Sequence, residues 1–181
     1  VQKNKHFKFP QAQEYTLTNG IKVFEHDTKD LPRVQVTIDF KKGHTQDPED
    51  KQGLCYFLYQ VLLEGIKNHP GRTLIKKVES MGGQLSVSPS FISVTSLKEH
   101  FVETLSLVQE IVEQATLENV AIEKVRSNIL ADLKMVWDSA GSIASILTNK
   151  AIYKEHPYSN QYMGTIEGIQ SISQKDLKKA Y

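Results

Sequence analysis

Three polar side chains in the stretch "GLCYFLYQVLLEGI", which covers residues 53–66, have the spacing of one helix face. Tyr56, Tyr59 and Gln60 stand at positions i, i+3 and i+4, and residues at this spacing are neighbours on a helix surface. Phenols have a reference pKa of about 10, so tyrosine is a poor metal ligand at neutral pH. The two tyrosines could equally pack against neighbouring strands with their hydroxyls at the rim. Neither interpretation gives this face a catalytic centre.

The histidines and the single cysteine form no local metal-binding or nucleophile motif. No histidine lies within five residues of another, the positions being His6, His26, His44, His69, His100 and His156. The single cysteine, Cys55, excludes an internal disulfide framework and any multi-cysteine zinc or iron–sulfur site. A cysteine nucleophile also needs an activating base, and the neighbouring sequence indicates none.

Length and charge limit the class of protein. A chain of 181 residues, 39% of them hydrophobic, is long enough for one sizeable core, so we expect a single domain over residues 1–181. The 22 basic and 21 acidic residues nearly balance, which gives no indication of a nucleic-acid partner. No apolar run approaches the ~18 residues of a membrane span, and the polar start lacks a secretory signal. We expect a soluble domain. Because the chain begins at Val1, a signal could have been removed, which leaves periplasmic, cytosolic and organellar compartments open.

Hydrophobic patterning divides the chain into strands and helices. Strands are predicted near residues 14–18 and 21–26 around an Asn19-Gly20 hairpin turn, and a third strand at residues 33–40. A helix is predicted over residues 53–66, followed by a short helix that stops at a glycine pair. Two further strands, "QLSVSPS" and "FISVTSL", precede two long helices, a third helix ended by a His-Pro step, and a last helix with Ser173 as N-cap. This order indicates an α+β fold.

Five segments together resemble the pitrilysin/insulinase family of zinc metallopeptidases, the inverzincins. They are "LTNGIKVFEHD", "FKKGHTQDPEDKQGL", "ESMGGQLSVSPSFISVTSL", "IEKVRSNILADL" and "HPYSNQYMGTIEGIQSISQKDL". The resemblance implies a mainly antiparallel sheet with helices packed on one face, as in one half of a pitrilysin-like protein. Family halves continue into another strand beyond the helix that begins after Ser173, so the chain is expected to lack that final strand.

The family's active-site helix carries the motif H-x-x-E-H, in which two histidines one turn apart bind zinc and the glutamate serves as general base. The resemblance puts Tyr56 and Gln60 at the histidine positions and Tyr59 at the base. A later glutamate ligand of the family falls on Asp132. The resemblance therefore implies a degenerate site with no catalytic residue, no metal ligand and no cofactor.

Family halves pair around a chamber, often one with zinc and one degenerate. The resemblance thus implies a homologous zinc-bearing half or subunit as partner, and a peptide substrate that adds to an edge strand formed by Gln84, Leu85, Ser86 and Val87. Two alternatives stay open. The chain could be a non-proteolytic scaffold subunit of a larger complex, or an active zinc metallopeptidase with unrecognised ligands that include Asp132.

Overall fold

The computed structural model of the protein describes residues 11–28, 31–71 and 73–181; His6 lies outside them. The chain divides into two compact units, Val1–Pro32 and Arg33–Tyr181. The single domain expected over residues 1–181 stays a prediction.

The first unit contains the predicted β-hairpin. Strands β1 (Gln13–Thr16) and β2 (Lys22–Glu25) pair antiparallel. Both strands are shorter than predicted because the turn begins at Leu17, whose backbone N–H donates to the Ile21 carbonyl at 2.8 Å. Gly20 has a φ of +86°, the conformation for which glycine is suited. The Asn19-Gly20 turn is therefore confirmed.

The second unit is built on a three-stranded antiparallel sheet. The strands of this unit, in chain order, are β3 (Arg33–Asp39), the short pair β4 (Gly65–Ile66) and β5 (His69–Pro70), then β6 (Gln84–Ser88) and β7 (Phe91–Leu97). The sheet has the order β3-β7-β6, and β4 pairs with β5 separately. Alternate residues of β7 are buried, as a strand with one face on the core requires. The predicted strands after the glycine pair are thus confirmed.

The first two helices precede β6 and the later ones follow β7, which is the order expected of the α+β fold. They are α1 (Leu54–Leu62), α2 (Thr73–Ser80), α3 (Phe101–Glu113), α4 (Asn119–Trp137), α5 (Ala140–Tyr153), α6 (Ile166–Ser171) and α7 (Gln174–Ala180). Ser173 is the N-cap of α7, and Asp176 completes a capping box with it. Helix α6 was not predicted. The helix predicted over residues 53–66 is too long, because β4 begins at Gly65 and pairs with β5.

The core lies between the sheet and the helices that pack on it, with α4 packed against α1. Helices α1 and α2 contact β6, and α3 contacts β7. Side chains that are almost fully buried come from β7 and from helices α1 to α4, among them Phe57, Leu74, Ile92, Ile111 and Ile129. Among the described residues, no helix combines the length and the apolar character that crossing a membrane would need.

Candidate functional site

The start of α1 is held by one carboxylate. Asp47 accepts the backbone N–H of Gly53 at 3.0 Å and the backbone N–H of Cys55 at 3.1 Å. These bonds satisfy donors that have no partner within the helix. They also orient the helix that carries Tyr56, Tyr59 and Gln60.

A cleft between α1 and α4 brings three of the predicted residues together. Tyr56 and Gln60 line a cavity of roughly 190 Å³ with Asp132 of α4 on its other wall. Tyr56 and Asp132 also line an adjoining, more open groove of roughly 390 Å³. The groove is completed by Met135, Val136, Ser142, Tyr162 and Met163.

Tyr59 lies away from this cleft. Its side chain is 9% exposed, and its ring centroid lies 5.9 Å from that of Phe40, the residue after β3. Burial, with a smaller contribution from Cys55, raises the pKa of the Tyr59 phenol to about 12. The face predicted to carry three polar groups therefore presents two of them to the cleft, while the third packs near the sheet.

Sequence reasoning missed the groups that complete the cleft. Tyr162 packs edge-on against Tyr56, with ring centroids 5.4 Å apart and an interplanar angle of 88°. It lies outside the helices, so no periodic pattern points to it. Asn128 also lines the cavity, one helical turn before Asp132 on α4, and this spacing is a signal that could have identified it.

One carboxylate of the cleft has no cation paired with it among the residues that the structure describes. Glu64 lines the cavity but forms an ion pair with Lys124, with 2.5 Å between carboxylate oxygen and ammonium nitrogen. For Asp132, no hydrogen bond or ion pair occurs within the described part of the chain. Burial, followed by Tyr162 and Asp132, raises the pKa of the Tyr56 phenol, so the phenol is neutral at physiological pH.

The thiol of Cys55 is also held in its neutral form. Burial is the largest cause, and a hydrogen bond and charge repulsion from Asp47 add to it, raising the thiol pKa to about 12. Nucleophilic cysteines have a lowered pKa, so this environment does not activate a thiolate.

The residues of the cleft do not fit a zinc ion. Zinc in proteins is bound by thiolate, imidazole and carboxylate ligands, three or four to a site. The cleft offers one free carboxylate, a neutral phenol and the amides of Gln60 and Asn128. Over residues 11–28, 31–71 and 73–181, no group of three histidine, cysteine, aspartate or glutamate side chains could hold a metal.

Strand β6 forms one edge of the three-stranded sheet described here. It pairs with β7 on one side, and Gln84 and Ser86 alternate with Leu85 and Val87 along it. Leu85 and Val87 are half-buried and pack against the core. Of the four residues predicted to bind substrate, two therefore have side chains committed to packing, and main-chain groups and the other two side chains remain for a ligand.

Comparison with known proteins identifies the family. The sequence matches the family described as Insulinase (Peptidase family M16) over residues 22–166. It is 27% identical over 172 residues to cytochrome b-c1 complex subunit 1, mitochondrial, of Bos taurus, covering 93% of this chain and 36% of the relative. It is 26% identical over 155 residues to the non-peptidase homolog YmxG of Helicobacter pylori, covering 83% of this chain and 36% of the relative. The chain thus spans about a third of the length of these curated relatives.

The fold agrees with that assignment. The structure superposes on the peptidase M16 inactive domain from Pseudomonas fluorescens with a TM-score of 0.85 and 22% sequence identity, covering 93% of this chain and 42% of that one. The family match covers strands β2 to β7, helices α1 to α5 and the first residue of α6. The chain therefore belongs to the insulinase family, peptidase family M16.

Proposed function

We propose that the chain is a catalytically inactive M16 half that pairs with a homologous, zinc-bearing half or subunit to form a peptide-binding chamber. The observation that carries the proposal is the composition of the cleft between α1 and α4. Tyr56, Gln60 and Asp132 meet there, and together they supply a single carboxylate.

The residues of the cleft argue against zinc-dependent peptide hydrolysis by this half alone. If Tyr56 and Gln60 stand where the family's histidines do, neither can replace an imidazole as a ligand. The residue at the position of the general base is Tyr59, whose buried phenol has a pKa of about 12 and lies beside Phe40. Such a group stays protonated at neutral pH and cannot accept a proton from water.

Relatives support an inactive role. The Helicobacter pylori relative is named a non-peptidase homolog, and the Pseudomonas fluorescens structure is described as an inactive domain. An inactive half remains useful if it binds peptide. Strand β6 would contribute main-chain hydrogen bonds at its free edge, a mode of recognition that tolerates many sequences.

Metal stoichiometry tests the inactive site. Mass spectrometry of gently purified, untagged protein is expected to give close to zero zinc per chain and close to one zinc per complex with the homologous half. About one zinc bound to this chain alone would overturn the proposal, and loss of that zinc in Asp132→Ala would identify the metal site.

Reconstitution tests the pairing. We expect chelator-sensitive peptide cleavage when this chain and a zinc-bearing homologous half are combined, and none from this chain with added zinc. Cleavage by the isolated chain that a chelator abolishes would instead establish the alternative of an active zinc metallopeptidase.

A scaffold role is the second candidate. It is supported by the similarity to a subunit of the cytochrome b-c1 complex, at 27% identity. Purification of the protein from its natural source separates the two functions. A large complex without peptidase activity would favour the scaffold, whereas co-purification with a zinc-bearing peptidase subunit would exclude it.

A further inference from the structure

Among the described residues, the charged side chains that line the cleft are all acidic. No lysine, arginine or histidine side chain is found among the described residues that line the cavity or the adjoining groove. Glu64 is already paired with Lys124 at the cavity wall. Within the described part of the chain, no ion pair balances the negative charge that Asp132 presents to both spaces.

Other hydrogen-bond acceptors line the cavity together with the Asp132 carboxylate. The amide oxygens of Gln60 and Asn128 line the same cavity as Asp132 and can accept hydrogen bonds. A guanidinium or ammonium group is a pure donor, and charge-assisted bonds to a carboxylate are stronger than bonds between neutral groups. The polar part of the cleft is thus complementary to a cation.

The remaining walls suit the aliphatic stem of a long basic side chain. The rings of Tyr56 and Tyr162 meet at the groove, and cations bind favourably over aromatic faces. Leu63, Ile75 and Val125 provide apolar surface in the cavity. Lysine and arginine characteristically bury such stems along apolar surface.

The volume of the cavity favours a single side chain over a larger ligand. Cavities for small molecules usually have volumes of about 300 Å³ or more. The cavity, at roughly 190 Å³, is smaller, and it shares Tyr56 and Asp132 with the adjoining groove of roughly 390 Å³. This shape suits a side chain that enters the cavity while the main chain it belongs to lies in the groove.

We infer that the cleft between α1 and α4 binds one lysine or arginine side chain of an extended peptide, with Asp132 pairing its charge and Tyr56 and Tyr162 flanking its stem. The inference rests on the peptide-binding part of the proposed function and adds the class of side chain that is selected.

Fluorescence anisotropy with a matched pair of peptides tests the inference on the full-length protein. One labelled eight-residue peptide of alanine, serine and threonine carries a central arginine, and the other carries citrulline, which has the same shape without the charge. At about 50 mM salt we expect the arginine peptide to bind about three- to tenfold more tightly, because Asp132 is open to solvent and screening limits the gain. The preference should shrink as salt is raised.

Two variants locate the effect. Asp132→Asn should abolish the preference for arginine, while Asp138→Asn, an exposed aspartate just after α4 that lines neither space, should keep it. Melting curves of both variants check that they are folded. A preference that survives in Asp132→Asn would overturn the inference.

The other outcomes distinguish this inference from the proposed function. Equal binding of both peptides to the unmodified protein would overturn the choice of a basic side chain and leave peptide binding intact. Absence of binding by either peptide would overturn both. Competition by free arginine amide at the same potency as the arginine peptide would show a small-amine site and would also overturn the inference.

Discussion

At the scale of single residues, Asp176 joins the last helix to the segment before α1. One oxygen of its carboxylate lies 2.5 Å from the ammonium nitrogen of Lys51, and the other accepts the backbone N–H of Ser173 at 2.9 Å. The bonds to Lys51 and Ser173 hold the pKa of Asp176 well below its usual range. Because the folded-state pKa is lowered, the stabilisation is present above the unfolded-state pKa of about 3.9 and is lost as pH falls below it.

We predict that Asp176→Asn lowers the urea midpoint at pH 7 and that its effect diminishes steadily as pH falls below about 4. Urea titrations across this range measure the effect, with Lys51→Gln as the matched variant at the other end of the ion pair. The double variant should be less destabilised than the sum of the two single variants. An Asp176→Asn effect of equal size at pH 7 and pH 3 would contradict the linkage.

Arg126 connects α4 to α6 through its guanidinium group. The group donates to the carbonyls of Ile169 and Ile172, the latter at 2.8 Å, and lies 5.0 Å from the centroid of the Phe57 ring. The Arg126 side chain is only 15% exposed. If it were removed, the two carbonyls would lose their hydrogen-bond donor in a place that water reaches poorly, which costs free energy.

Arg126→Met should therefore lower the free energy of unfolding by about 2–3 kcal/mol. The control is Lys124→Met on the same helix, whose ion pair with Glu64 is more exposed and should contribute less than about 1 kcal/mol. Chemical denaturation of both variants measures the difference. Equal costs for the two would show that Arg126 does not act as a connection between the helices.

At the scale of elements, the loop before α6 packs against the segment that leads into α1. Gly164 has a φ of +82°, and a Cβ at this position would lie 2.1 Å from the Gln52 carbonyl oxygen and 2.5 Å from the Gly53 Cα. These neighbours are backbone atoms, which cannot move aside as a flexible side chain could. The contact places α6 beside the start of the helix that carries Tyr56.

Gly164→Ala is expected to destabilise the protein by about 2–4 kcal/mol, because strain and overlap with backbone act together. Gly141→Ala provides the opposite case. Gly141 lies in α5 with no atom within 4 Å of an added Cβ, so alanine should stabilise the helix by about 0.5–1 kcal/mol. Thermal and urea unfolding should move in opposite directions for the two variants, and a shift in the same direction would contradict the packing.

At the scale of the whole molecule, buried contacts are unevenly shared between the two longest helices. Helix α4 buries Ile122, Val125, Ile129 and Leu133, whereas α5 buries Ile146 among its described residues. Large apolar side chains of α5, including Leu147 and Ile152, are instead exposed. Helical stability in proteins comes mostly from packing of an apolar face, so α5 should be the less stable of the two.

Hydrogen exchange should reflect this difference. We predict that amides of α5 exchange at least about tenfold faster than those at the centre of α4, since local opening requires the loss of fewer buried contacts. Exchange followed by mass spectrometry at pH 7 measures both helices in one experiment. Comparable protection in the isolated chain would show that α5 is stabilised by contacts other than burial.

The sequence by itself determined the types and order of most elements, though not the β4-β5 pair or α6. The period-two pattern in "FISVTSL" became β7, since a strand with one buried face must alternate. The Asn19-Gly20 signal became the turn between β1 and β2, because glycine accepts the positive φ found there. Ser173 became an N-cap because its hydroxyl satisfies a free N–H at the first turn of α7. The order of five segments was enough to indicate the family that the match over residues 22–166 shows.

The tertiary structure alone decided which of these side chains meet. Spacing on α1 grouped Tyr56, Tyr59 and Gln60, but packing turned Tyr59 towards Phe40 and left the other two facing Asp132. The end of α1 at Leu62 depends on a pairing of β4 with β5 that is downstream in the chain. Periodicity records only the face of one element, whereas a site is formed where faces of distant elements converge, and that convergence depends on how the whole core packs.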